Sequence, residues 1–343
     1  MKFLIPMLEI RPATHAIRAL LLFFTLMLGA TTAGALPRDY FPAGEEQPAS
    51  DEAWSELAKR FPLRVKKTKP VEPAASKSPP PSSATEIKPG LSYFRVHSIE
   101  RDLEPLAAAL DARATIVDLR FVQADEQESL DLAAVLAQDR IELVLGGEPE
   151  GGPLTIEPAE IEKEPRGMTL VLTNRATAGP IESVLAALQK SGGVLLVGEK
   201  TKGDTGRFEP VAGHPCWQII ESDFRAPDGA SLLDEGVTPD LAVTVNPVDD
   251  ETAYRAFDSG TPLTALLDSD IEKTRFDEAR LLQQHDRANG GSPALAPPSR
   301  DGNRDRSAEP EAADAKPAPI DKILHRAVNT VVTLRALRRF SDT

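Results

Sequence analysis

His214-Pro215-Cys216 places an imidazole and a thiol two residues apart, a spacing at which both could hold one borderline-soft metal ion. Two ligands do not close a coordination sphere. His97, His285 and His325 lie far off in the sequence, and Cys216 is the only cysteine, so neither a metal site nor an intramolecular disulfide is expected. That thiol reads as a small buried hydrophobe. Asp118 ends an apolar run and would sit at a strand end, where functional carboxylates occur. Pairing with Arg120 or Arg95 is the reading that the nearby charges favour. Gly146-Gly147 and Gly151-Gly152 are turn signals without a phosphate-loop lysine motif or a strand–GxGxxG–helix unit, so no nucleotide or other cofactor is expected. Lys66-Lys67-Thr68-Lys69 reads as a solvated basic run.

The segments that must position these residues alternate between strand and helix, the pattern of a layered α/β domain. Strands are expected over residues 91–96, 114–119, 141–145, 168–173 and 194–197, and helices over 102–110, 127–136 and 181–189. Several of these strands are apolar throughout, which predicts cover on both faces and mainly parallel pairing. Hairpin-like pieces around 216–224 and a closing strand at 241–245 follow. Short helices are expected over 253–267 and 273–284. The last segment carries Ile320, Leu324, Ala327, Val331, Leu334 and Leu337 at spacings of three and four, one face of a helix preceded by Pro319. Docking of that stripe onto the preceding domain is the favoured reading, with a membrane-surface or partner helix as the alternative.

Residues 1–35 read as an export leader: Lys2, Arg11 and Arg18 precede or enter an apolar run at 19–28, and Ala33-Gly34-Ala35 has the small-x-small form of a cleavage site. The apolar run is too short for a membrane span, and no other segment could cross a bilayer. The expected location is therefore periplasmic or extracellular. Residues 36–90 read as a proline-rich tether with a short helix at 51–60 bearing Trp54, Leu57 and Ala58 on one side. The domain follows at 91–248, short helices at 249–288, a solvated linker at 289–319 and an amphipathic helix at 320–343. The 343 residues include 30 prolines and 5% aromatics, so only part of the chain packs into a core. A net charge of −14 argues against a nucleic-acid partner. Oligomeric state is not legible.

Four stretches, in order, resemble the tail-specific (C-terminal processing) serine protease family. They are Val117-Asp118-Leu119-Arg120, Leu170-Val171-Leu172-Thr173-Asn174, Val197-Gly198-Glu199-Lys200-Thr201-Lys202-Gly203, and Ala226-Pro227-Asp228-Gly229 with Gly236-Val237-Thr238-Pro239-Asp240. The helix from Asp321 to Arg326 is similar to the family's C-terminal tail. The resemblance covers residues 91–246 and implies a ClpP/crotonase-like layered α/β core, with a mainly parallel sheet and a C-terminal helix. Such proteases usually carry a PDZ domain, for which residues 36–90 have neither composition nor room.

The family's chemistry needs a serine hydroxyl, a neutral lysine to deprotonate it, and backbone N–H groups for the oxyanion. Aligning Asn174 and Glu182 with the family motif puts Gly179 on the nucleophile position. Aligning Gly198-Glu199 and Thr201-x-Gly203 puts Asp204 on the base position, twenty-five residues later, which is the family spacing. Phe208 falls where the family often has a glutamine that orients the lysine. Phe121-Val122-Gln123-Ala124-Asp125 replaces the family's Pro-Gly-Gly oxyanion turn. Glycine has no side chain to attack with, and aspartate cannot replace a lysine's donors. The resemblance thus implies a pseudoprotease without catalytic residues, able to bind a peptide or an apolar ligand; retinoid-binding proteins built from similar modules give a precedent for the latter. The alternative is an active serine-type peptidase with a rearranged site, using Thr177 or Ser183 with Lys200 or Lys202. Those hydroxyls are displaced from the elbow, and Thr177 is better placed to cap the helix starting near Pro180. A crotonase-type acyl-CoA enzyme would share the core, but nothing in the sequence signals nucleotide binding.

Overall fold

The structure, a computed structural model, describes residues 36–68, 82–146, 153–159, 167–267 and 318–341. The expected leader, the proline-rich residues 69–81, the helix expected at 273–284 and residues 289–317 of the expected linker lie outside the described residues. Two compact units divide after Arg60. In the first, helix α1 (Asp51–Arg60) forms where expected: Ser50 Oγ accepts the Ala53 N–H at 3.3 Å, acidic residues open the helix, basic ones close it, and Trp54 and Leu57 are buried.

The second unit is built on two sheets. The larger runs in the order β11 (Leu241–Ala242), β8 (Leu195–Gly198), β7 (Met168–Thr173), β4 (Ala114–Asp118), β3 (Leu91–Arg95), β2 (Thr85–Lys88). From β3 to β11 its neighbours are parallel, and β2 joins antiparallel. Its central strands are apolar because both faces are covered. Helices α2 (Ile99–Ala109), α3 (Glu126–Leu136) and α4 (Ile181–Ser191) pack on one face through Leu106, Leu132, Val184 and Leu188.

The smaller sheet is antiparallel: β1 (Val65–Lys67), β10 (His214–Arg225), β5 (Ile141–Leu145) and β6 (Leu154–Ile156), with β9 (Gly206–Val211) also on β10. The expectation of a mainly parallel sheet therefore holds for the larger sheet alone. The reason is local: β9 and β10 are joined by a two-residue turn with Gly213 at φ 78°, which reverses the chain, and neither strand is buried throughout as the central strands of the larger sheet are. Two further strands, β1 and β2, form within the stretch that reads as a tether, and the Lys66-Lys67 pair lies in β1, with Lys67 exposed to solvent and Lys66 half-buried. Val65 is buried and pairs with Ile219, which pins the strand.

Helix α5 (Pro247–Asp258) begins six residues earlier than expected, because Asn246 accepts the Val248 N–H and Pro247 fits the first turn. Helix α6 (Leu263–Leu266) is a single turn. The C-terminal helix α7 (Lys322–Ser341) docks on the second face of the larger sheet. Its cap is Asp321, whose carboxylate accepts the Leu324 N–H at 2.9 Å. The buried face is Ile323, Leu324, Ala327, Val328 and Val331, packed against Tyr93, Ile116, Leu170, Leu172 and Val197. The expected stripe is thus rotated: Ile320 and Leu337 are exposed, whereas Ile323 and Val328 are inside. Leu324→Ala is expected to cost about 2–5 kcal/mol, read as a lowered urea midpoint, because a fully buried leucine on a packed sheet leaves a cavity. A midpoint equal to that of the parent protein would mean that α7 does not contribute to the core.

Candidate functional site

Strands β4, β7 and β8 all end on one edge of the larger sheet, and the turns that follow them meet there, outside the carboxyl ends where open α/β sheets place their sites. The register brings Asp118 beside Leu172 and Thr173 beside Gly198. Beyond it the turns are laced by backbone bonds: Ala178 N–H to Val122 O at 3.0 Å, Ala124 N–H to Ala178 O at 3.2 Å, and Lys202 N–H to Thr177 O at 3.0 Å. Phe121, in the turn after β4, is held at φ 63°, a left-handed conformation that a bulky residue adopts only under constraint. The constraint is visible: its N–H bonds Asn174 Oδ1 at 3.1 Å and its ring packs on Tyr254.

Gly179 lies at the start of α4 with φ 103°. A Cβ there would stand 2.2 Å from the Ala124 carbonyl oxygen, so the bridge between the two turns leaves no room for any side chain. The same bridge occupies the Ala124 N–H, which donates to the Ala178 carbonyl.

Glu182, fully buried in the first turn of α4, fastens the turn after β8. Its carboxylate accepts Thr201 Oγ1–H at 2.5 Å, Gly203 N–H at 2.6 Å and Asp204 N–H at 2.8 Å. Burial pushes this carboxyl above its ordinary range, against the pull of these hydrogen bonds. The clamp sets Asp204 beside Gly179, in a groove of about 320 Å³ whose lining includes Lys66, Gln123, Ala124, Gly179, Asp204 and Phe224. Lys66 Nζ donates to Asp204 Oδ1 at 2.8 Å and Lys202 Nζ to Oδ2 at 3.0 Å. The Lys66 ammonium also sits 3.9 Å from the centre of the Phe208 ring.

The displaced hydroxyls are engaged elsewhere. Thr177 is fully buried; its Oγ1 donates to Leu119 O at 2.9 Å and accepts the Asn174 N–H at 3.2 Å, so it ties the turns together instead of capping α4, which starts at Pro180 without a side-chain cap. Ser183 is fully buried and its hydroxyl donates to the Arg225 carbonyl. Lys200 pairs with Glu235 at 3.0 Å. Cys216 is exposed, not buried: Trp217 takes the inward place on β10 and turns its neighbour outward. Among the described residues no three His, Cys, Asp or Glu side chains gather as a metal would require.

Behind the turns lies a buried charge network that only its first pair announces in sequence. Arg120, fully buried, donates to Asp118 at 2.7 Å, Asp250 at 2.8 Å and Asp321 at 2.7 Å, joining β4, α5 and the α7 cap. Arg95 lies 3.7 Å from Asp118 and 2.8 Å from Asp258. Burial alone would raise the Asp118 carboxyl; Arg120 above all, with Arg95 and the Tyr93 hydroxyl, holds it below the usual carboxylate range. Burial raises Asp250, against Arg120 and Asn174. A second cluster joins Ser82 Oγ to His97 Nδ1 at 2.9 Å and to Asp102 Oδ2 at 2.7 Å. Asp102 also accepts the His97 and Ser98 N–H groups, so the cluster seals the start of α2.

Residues 93–243 match the family model of peptidase family S41. No curated protein matches the chain. Similar solved structures include the photosystem II D1 C-terminal processing protease, at 20% identity and TM-score 0.39, covering 48% of each chain. They also include a lipoprotein from Streptococcus agalactiae, at 13% identity and TM-score 0.36, covering 50% of this chain and 68% of that one. A third is mature CPAF complexed with lactacystin, at 12% identity and TM-score 0.36, covering 44% and 47%. The chain spans about half the length of the processing protease.

Proposed function

Residues 93–243 belong to peptidase family S41, tail-specific protease-like, and from that premise we propose that this chain is an exported member that no longer hydrolyses peptides and keeps the groove beside Gly179 as a binding site for an extended peptide. One observation carries the reading: the nucleophile position has no side chain and no space for one, since a Cβ at Gly179 would lie 2.2 Å from a backbone carbonyl oxygen. The base position supports it. Asp204 is an acid shared by two lysines, and neither lysine bonds the Thr177 or Ser183 hydroxyl, both of which donate to backbone carbonyls. A nucleophile needs its base within hydrogen-bond reach, and here neither hydroxyl has one.

The test is incubation of the full chain with unfolded casein and with a fluorophosphonate probe, followed by mass spectrometry, beside a peptide array for binding. The expected result is intact casein, no covalent adduct and array binding that falls when the groove residue Gln123 is changed to arginine. Cleavage abolished by Thr177→Ala or Ser183→Ala would overturn the inactive reading. An array without any bound peptide would overturn the binding one.

A further inference from the structure

We infer that Asp204 and Phe208 form a subsite for a basic side chain of the peptide ligand, and that the chain's own Lys66 fills this subsite in the structure. The inference rests on the proposed peptide-binding groove and names its specificity. Three observations carry it. First, Asp204 is nearly buried, its side chain 9% exposed, and still offers a carboxylate oxygen to an ammonium at 2.8 Å. Second, the Phe208 ring lies 3.9 Å from that same ammonium, so carboxylate and aromatic face meet the half-buried cation together. Third, the amine arrives on an extended strand. Residues Val65–Lys67 pair antiparallel with Trp217, Gln218 and Ile219, with Val65 buried on one side and Lys66 reaching the groove on the other. The chain's own strand therefore shows how an extended peptide presents a lysine to this pocket.

Lys202, the second partner of Asp204, approaches the other carboxylate oxygen and is not stacked on the ring. It neutralises the acid without filling the aromatic face. Lys66 is a tethered competitor whose effective concentration is high, so the parent protein should bind a basic peptide weakly and a protein without Lys66 should bind it well.

Fluorescence polarisation with three decapeptides of alanine and serine, bearing a central lysine, methionine or glutamate, tests this on the full chain. Lys66→Ala is expected to bind the lysine peptide about tenfold or more tighter than the parent does, and to prefer it over the other two by a similar factor. Adding Asp204→Asn should abolish the preference, and adding Phe208→Leu should reduce it. Equal binding of all three peptides by Lys66→Ala, or a preference that survives Asp204→Asn, overturns the inference while leaving a peptide groove in place. Failure of every decapeptide overturns it too, and the array described above then reports separately whether the groove binds any peptide. If Lys66→Ala does not fold, by circular dichroism, Lys66→Gln keeps the stem, drops the charge and carries the same comparison.

Discussion

Arg120→Met is expected to destabilise the protein by about 3–5 kcal/mol, because it leaves buried carboxylates without the cation that all three of them share. Asp118 is fully buried and Asp250 and Asp321 nearly so. Of the three, Asp118 keeps a second cation in Arg95 at 3.7 Å, and Asp250 keeps a hydrogen bond from the Asn174 amide at 2.9 Å. Urea denaturation at pH 7 gives the difference, and an unchanged midpoint would show that the network is energetically idle. The effect should also depend on pH in a fixed direction. In the parent, Asp118 titrates below its unfolded range, so its contribution is present above that range and is lost as the pH falls through the folded value. In the variant, burial without Arg120 favours the protonated forms of Asp118 and Asp250, so acidification relieves the fault. The gap between parent and variant should therefore be wider at pH 7 than at about pH 4. The same experiment reports on α7, since Asp321 is both its cap and an Arg120 partner.

The central strands of the larger sheet were legible because burial on both faces leaves a simple signature: residues 168–173 and 194–197 read as apolar strands, and strands form there within a residue, whereas its edge strand β2 lay in the expected tether. The smaller sheet was harder. Strands of three residues such as Val65–Lys67 and Leu154–Ile156 are too short to show a period, and their pairing depends on partners as far away as Ile219. Helix α7 shows a different limit. Its spacing revealed a helix with an apolar side, but Ile320 and Leu337 belong to the pattern without being covered, since only the sheet decides which part of a wide stripe is inside. At the site, Gly179 and Asp204 could be singled out through a motif spacing of twenty-five residues, whereas Lys66 could not. It reaches Asp204 across 138 positions, from a strand that looked like tether. Asp250 and Asp321 escaped notice for the same reason: a carboxylate carries no mark of the arginine it will meet 130 or 201 residues away.

Gly179→Ser should not restore a nucleophile; it should destabilise the protein by about 3 kcal/mol or more. The left-handed backbone at φ 103° costs a residue with a Cβ about 1–3 kcal/mol, and forcing that atom to 2.2 Å from the Ala124 oxygen adds an overpacking cost of similar size unless the turns part. Because the clash is at Cβ, Gly179→Ala should fall by nearly the same amount, which separates steric exclusion from any effect of the hydroxyl. Adding Asp204→Lys should leave the protein inactive and less stable still, since it removes the acid that Lys66 and Lys202 both bond and sets three ammonium groups together. Thermal melts and casein turnover decide the matter. A doubly substituted protein that melts with the parent and cleaves casein would show that the two turns separate readily, and that the bridge between Gln123 and Ala178 does not close the elbow. The expected loss would instead place the barrier to hydrolysis in the backbone, where no exchange of side chains at 179 and 204 can lift it.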